Sequence, residues 1–208
     1  MKVILNCAMT ADGKIASKER KQAVISSEED MRRVHVLRSQ VDAVLVGVGT
    51  VLADDPSLSV KEKYVPGGRS PLRVVLDPGL RTPPGSRILQ DGVPTVIYSC
   101  VEGSVCGAEV VALPGPVIPL CMVLDDMEKR GVETLLVEGG GETMWRFLDQ
   151  GMVDEYNVFV GSMLFGGRSA PTPVDGEGRV VSEAMRLELL SAEVLGNGVL
   201  LSYRVKKC

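Results

Sequence analysis

The chain has 208 residues, 45% of them hydrophobic and 24% charged, the composition of one ordinary soluble domain spanning residues 1–208. Lysine and arginine total 23 against 27 aspartate and glutamate, a net charge of −4, and no run of five or more basic residues occurs, which argues against nucleic acid or an anionic membrane as a partner. A single histidine, His35, and five scattered cysteines without C-x-x-C or Cys/His ligand spacing argue against a metal site, a disulfide framework and any two-histidine mechanism; the cysteines read as reduced, mostly packed residues of a cytoplasmic protein.

In chain order, Val3 to Met9 reads as a buried first strand, too short and too interrupted by Asn6 for a secretory signal. No segment reaches the roughly 20 apolar residues needed to cross a bilayer. Ser26-Ser27 followed by Glu28-Glu29-Asp30 signals a capped helix over about 27–40, with Met31, Val34, Leu37 and Val41 on one face. Apolar strand-length runs follow at 43–48, 73–77 and 95–99, separated by Pro-, Gly- and Arg-rich loops at 61–72 and 78–94. A helix over about 120–130 stops at Gly131, a strand covers 134–138, and a third helix begins within Gly139-Gly140-Gly141 and ends near Gly151. After a strand at 155–160 and a loop at 161–180, the strands 187–194 and 199–205 are joined by Gly196-Asn197-Gly198, a hairpin signal. The β-α alternation predicts parallel strands and the hairpin an antiparallel end, so the sheet is expected to be mixed.

Three stretches could carry chemistry. Leu135 to Trp145 is a strand, three glycines and an amphipathic helix, a turn that lets backbone N–H groups and the positive helix end approach a phosphate; a tight glycine turn without a ligand is the bland alternative. It matches neither G-x-G-x-x-G nor a P-loop. Val46 to Pro56 is a second glycine turn, in which the Thr50 hydroxyl and Asp54 carboxylate suit a ribose or amide, unless Asp54 only caps the next turn. Met9 to Ile15 places an Asp12-Gly13 turn after the first strand. Arg38, Lys61 and Arg168 are basic side chains that could offset a phosphate, each also compatible with a solvated surface role, while His35 reads as a packed or surface helix residue.

Taken in order, Thr10 to Ala16, Ile25 to Asp30, Val46 to Pro56, Val137 to Glu142 and Phe165-Gly166-Gly167 together resemble the riboflavin-biosynthesis reductase family along essentially the whole chain. The likeness is greater to its stand-alone archaeal members than to the reductase domain fused to a bacterial deaminase, and the deaminase signature H-x-E with P-C-x-x-C is absent. The resemblance implies an α/β, dihydrofolate-reductase-like fold, with a mixed, mostly parallel sheet, helices on both faces and a C-terminal antiparallel hairpin. It implies a cytoplasmic homodimer that uses NADPH, with NADH also admitted, and no metal. The implied reaction reduces the ribosylamino group of 2,5-diamino-6-ribosylamino-4(3H)-pyrimidinone 5′-phosphate to ribitylamino, by hydride transfer to C1′ of the ring-opened imine.

Residue by residue, the resemblance implies cofactor contacts at Ala8, Thr50, Asp54, Asp77, Pro78, Ile118, Gly139, Gly140, Gly141 and Glu142, and substrate contacts at Asn6, Arg38, Leu58, Lys61 and Glu138. Asn6 stands where bacterial members often carry lysine, so no lysine-assisted step transfers here. Asp12, Glu138 and water remain open as proton donors. Two other readings compete: a pteridine or dihydrofolate reductase, disfavoured by an aromatic content of 4%, and a nucleotide-sensing domain, which would not need Arg38, Lys61 and Glu138 together.

Overall fold

The computed structural model describes residues 1–19 and 23–206. Its elements begin with β1 (Lys2–Thr10), α1 (Glu28–Ser39), β2 (Ala43–Gly47), α2 (Val48–Asp54), β3 (Leu72–Leu76), β4 (Thr95–Ser99) and β5 (Glu109–Ala112). They continue with α3 (Leu120–Lys129), β6 (Thr134–Gly139), α4 (Gly141–Asp149), β7 (Glu155–Gly161), β8 (Leu187–Leu195) and β9 (Gly198–Val205). The Cα positions group into two compact units, the first Met1 with residues 34–136, the second residues 2–33 and those from 137 on; the division passes through α1 and β6.

In the first unit the order is β5-β4-β3-β2, every pair parallel. Ala43, Val44, Leu45 and Val46 of β2, Val74 and Val75 of β3 and Ile97 and Tyr98 of β4 are wholly buried, which is why these strands read as unbroken apolar runs. Each such aliphatic side chain contributes roughly 1.5–3 kcal/mol on burial. Leu120, Val123 and Met127 give α3 one buried stripe. Its end is fastened by Arg130, which donates to Asp126 at 2.7 Å and to both carboxylate oxygens of Glu109 on β5, at 2.6 and 2.8 Å. Arg73, the second residue of β3, is also wholly buried. It donates to Thr95 Oγ1, to Asp91 at 2.9 Å and to the carbonyls of Ser57, Gln90 and Val93, so one guanidinium ties the chain after α2 to the turn before β4 and to the start of β4.

In the second unit β1 pairs parallel with β7, from Ile4 opposite Glu155 to Thr10 opposite Gly161, and β9 pairs antiparallel with both β7 and β8. Leu195 faces Gly198 across a two-residue turn in which Gly196 alone takes positive φ, +60°, the geometry of a type II′ hairpin. At the start of α1, Ser27 Oγ accepts the N–H of Asp30 at 3.1 Å, the predicted cap.

Two elements differ from expectation. Residues 48–54, read as a glycine turn, form the seven-residue helix α2, which starts directly from β2 with Gly49 in its first turn. The four-residue β5 lacks a run long enough to be recognised, and both of its end residues are exposed. The apolar run of β8 is not covered on both faces: Leu187, Leu189, Leu190 and Val194 are 39%, 56%, 44% and 83% exposed. Of the described cysteines, Cys7 and Cys100 are half-buried but Cys106 and Cys121 are exposed, contrary to the expectation of mostly packed thiols; Cys208 lies outside the described residues. No helix among the described residues is long and apolar enough to cross a membrane.

Candidate active site

The parallel order of the first unit brings the carboxyl ends of β2, β3, β4 and β5 to one edge, the position at which open α/β sheets take ligands. Thr50 and Asp54 stand one turn apart on α2, which leaves β2 at that edge. Asp54 is half-buried, and burial raises its carboxyl above the ordinary value. Asp77 follows β3 and is wholly buried. Its Oδ2 accepts both the N–H and the hydroxyl of Thr82, at 2.7 and 2.8 Å, while Oδ1 receives no hydrogen bond and stands 3.8 Å from Arg81 Nε. The Pro78 carbonyl accepts the Cys100 N–H and the Ser99 hydroxyl, which pins this turn to the end of β4. Ile118 is buried just before α3.

The residues of this unit expected on the substrate side lie on α1 and on the chain after α2. Arg38 is in the last turn of α1, where the helix dipole favours a cation. Leu58 is buried in the left-handed region at φ +57°, a conformation costing of order 1–3 kcal/mol that is concentrated at functional sites. Lys61 is exposed.

In the second unit Asn6 is buried on β1, and its amide oxygen accepts from Arg33 Nη2 at 2.8 Å; Arg33 in turn is held by Asp30 at 2.8 Å. With its oxygen committed, Asn6 has its amide N–H groups to offer a ligand. Ala8 lies two residues on, half-buried. Between them, burial pushes the Cys7 thiol up to about 12, with Tyr156 Oη 3.6 Å away, so Cys7 stays a neutral thiol rather than a nucleophile.

Asp12 is exposed, and its carboxylate accepts the Thr10 hydroxyl and the N–H groups of Phe165 and Gly166, at 2.5, 3.2 and 2.6 Å. Those bonds, Thr10's above all, hold it below the ordinary carboxylate range. An ionised carboxylate with three donors on it is a staple between two loops and a poor proton donor. Arg168 is exposed two residues beyond that loop contact.

Glu138 is half-buried near the end of β6 and leads into the glycine run. Gly139 ends that strand. Gly140 caps α4 with φ +51° and ψ 147°, a backbone state that side chains other than glycine's do not tolerate. At Gly141 a Cβ would stand 2.4 Å from the Thr172 carbonyl and 2.6 Å from Asp175 Oδ2. Gly141, Glu142 and Thr143 therefore open a nine-residue helix with N–H groups that no intrahelical carbonyl receives.

Each unit thus has something a dinucleotide fits: a glycine cradle on a helix N-terminus, suited to phosphate, and a buried carboxylate oxygen without a donor, suited to a hydroxyl or amino group. Sequence reasoning missed the residues behind these groups, namely Arg33 and Asp30 behind Asn6 and Thr82 behind Asp77. The only signal was the three-residue spacing of Asp30 and Arg33 on a helix.

Comparison with known proteins gives the class. The RibD C-terminal domain family matches residues 1–201. The chain is 44% identical, over 98% of both lengths, to the 2,5-diamino-6-ribosylamino-4(3H)-pyrimidinone 5′-phosphate reductase of Methanothermobacter thermautotrophicus, and 38% identical to the Archaeoglobus fulgidus protein of the same name, over 99% of this chain and 98% of that one. Its fold superposes on the deaminase/reductase of Thermotoga maritima with a TM-score of 0.87 at 28% identity, covering 99% of this chain and 56% of that one; the chain therefore spans just over half of that protein. The riboflavin biosynthesis reductase Rib7 of Saccharomyces cerevisiae shares the fold, with a TM-score of 0.77 at 21% identity over 99% of this chain and 90% of that one.

The fold and relatives define a dihydrofolate-reductase-like oxidoreductase of riboflavin biosynthesis. The chain belongs to the RibD C-terminal domain family.

Proposed function

We propose that this chain is an NADPH-dependent reductase, with NADH also accepted, that converts the ribosylamino side chain of 2,5-diamino-6-ribosylamino-4(3H)-pyrimidinone 5′-phosphate to ribitylamino. The observation that carries this reading is the identity of 44%, over nearly the whole length, with a reductase named for that substrate, together with a glycine turn at Gly140 that opens α4. When bound, the nicotinamide supplies a hydride, which the substrate accepts at C1′ of its ring-opened imine.

The chain's own residues bind, orient and exclude water. The backbone of Gly139, Gly140, Gly141 and Glu142 receives the pyrophosphate. Thr50, Asp54, Asp77, Pro78, Ile118 and Ala8 complete the cofactor contacts, with Asp77 Oδ1 accepting from a cofactor hydroxyl or amino group. Arg38 and Lys61 meet the substrate phosphate, Leu58 packs on the substrate, and Asn6 donates its amide N–H to it. Glu138 governs the proton that the reduced nitrogen must gain, since Asp12 is held ionised by its three donors. The protein acts in the cytoplasm as a homodimer, for which β8 at the edge of the sheet, with Leu187, Leu189, Leu190 and Val194 exposed, is the suited surface.

Purified protein is expected to oxidise NADPH only when the phosphorylated pyrimidine is supplied. Glu138→Gln should lower kcat by about 100-fold with little change in the KM for NADPH, the size usual for a lost acid–base group. Turnover of dihydrofolate at comparable efficiency would favour a pteridine reductase instead. Wild-type kcat in Glu138→Gln would remove Glu138 from the chemistry.

A further inference from the structure

Lys61 is exposed, yet its backbone is among the most tightly held on the loop after α2. Its carbonyl accepts the N–H groups of Tyr64 and Val65, at 3.0 and 3.1 Å. Its N–H donates to Nδ1 of His35 at 3.2 Å. His35 is wholly buried on α1, and the ring of Tyr64 stacks on it with centroids 4.7 Å apart and planes 17° from parallel. A ring nitrogen that accepts an N–H carries no proton of its own, so His35 is neutral with its proton on Nε2. The same imidazole is therefore hydrogen-bonded to the first residue of the turn 61–64 and stacked against the last. Three residues beyond His35 on α1, one turn along the same face, stands Arg38.

We propose that His35 is a positioning residue for anion recognition. By accepting the Lys61 N–H and stacking on Tyr64, it fixes the loop carrying Lys61 to the helix carrying Arg38, so that two cations on separate elements are presented to one phosphate with fixed spacing. Without it Lys61 keeps its charge but pays for ordering on every binding event, so affinity for the phosphorylated substrate falls while the chemical step does not. The inference rests on the reading that Arg38 and Lys61 meet the substrate's phosphate.

The test compares steady-state kinetics of the wild type, His35→Phe, His35→Asn, Tyr64→Leu and Lys61→Ala with the phosphorylated pyrimidine and with its dephosphorylated riboside. Phenylalanine keeps a ring for Tyr64 but has no acceptor, while the Asn side-chain oxygen stands near the place of Nδ1. His35→Phe should raise the KM for the phosphorylated substrate about tenfold, with kcat within about twofold and the KM for NADPH unchanged, the size of one lost oriented contact. The KM for the riboside should not move, His35→Asn should recover most of the loss, and Tyr64→Leu should give the same split at a smaller size. The proposal is overturned if His35→Phe leaves the KM ratio of the two substrates at its wild-type value while Lys61→Ala changes it, or if His35→Asn is no better than His35→Phe. If His35→Phe does not fold, Tyr64→Leu decides by the same ratio. A Lys61→Ala variant with the wild-type ratio would instead show that the phosphate is not read by Lys61, and the underlying assignment would fail.

Discussion

Gly141→Ala is expected to weaken NADPH binding by about 10- to 100-fold, equivalent to the roughly 1–3 kcal/mol that overpacking costs. The added methyl group would lie 2.4 Å from a backbone carbonyl, that of Thr172, and 2.6 Å from Asp175 Oδ2. Neither neighbour can simply turn away. Thr172 is tied to Asp175 Oδ1 through its N–H and its hydroxyl, at 3.1 and 2.7 Å, and the Asp175 N–H donates to the Gly141 carbonyl. The start of α4 itself must therefore move, and with it the N–H groups proposed to receive the pyrophosphate. Gly151→Ala is the control, because Gly151 ends the same helical segment, at φ +66°, with open space where the Cβ would go. Both variants should lose some thermal stability, Gly141→Ala through the clash at its Cβ and Gly151→Ala through an alanine at positive φ. Only Gly141→Ala should lose cofactor affinity, as measured by titration calorimetry.

The second large effect concerns stability. Arg73→Met should destabilise the protein by about 2–4 kcal/mol, because it removes the donor from a buried set of acceptors that cannot all reach water. The carbonyls of Ser57, Gln90 and Val93, the Thr95 hydroxyl and the Asp91 carboxylate all converge on that one guanidinium. For a chain of this length the loss corresponds to a fall in Tm of roughly 4–16 °C. Asp91→Ala should cost far less, since Asp91 is 40% exposed and its removal leaves Arg73 with its carbonyl partners. Thermal unfolding of the two variants side by side checks the ordering, and equal losses would mean that the Arg73–Asp91 ion pair, not the carbonyl cage, provides the stability.

These two positions also show what the sequence could and could not convey. Of the first unit's strands, β2, β3 and β4 were legible because burial on both sides leaves mostly valine, leucine and isoleucine, and the last hairpin was legible because Gly196-Asn197 has few other uses. The glycine run before α4 was legible as a phosphate turn in outline. The reason Gly141 in particular must be glycine was not, since it comes from a loop about thirty residues downstream. Arg73 reads as a charge flanking an apolar run, and its partners lie in sequence positions that carry no shared pattern. The same holds for Asn6, whose orientation is set by Arg33, and for Asp77, whose free oxygen follows from Thr82 having taken the other. The Thr50 and Asp54 stretch was placed at the right turn but with the wrong local form, because a glycine in the first turn of α2 masks a seven-residue helix. Side chains that hold other side chains leave no local signature; periodic burial and turn chemistry do.

The proposed reaction is tested most directly by isotope transfer. The protein is incubated with the phosphorylated ribosylaminopyrimidine and NADPH carrying deuterium at the transferable position of the nicotinamide, and the product is examined by mass spectrometry and NMR. One deuterium per product molecule, located at C1′ of a ribityl chain, is the expected result. Deuterium at any other carbon, or NADPH left unconsumed in the presence of that substrate, would contradict it.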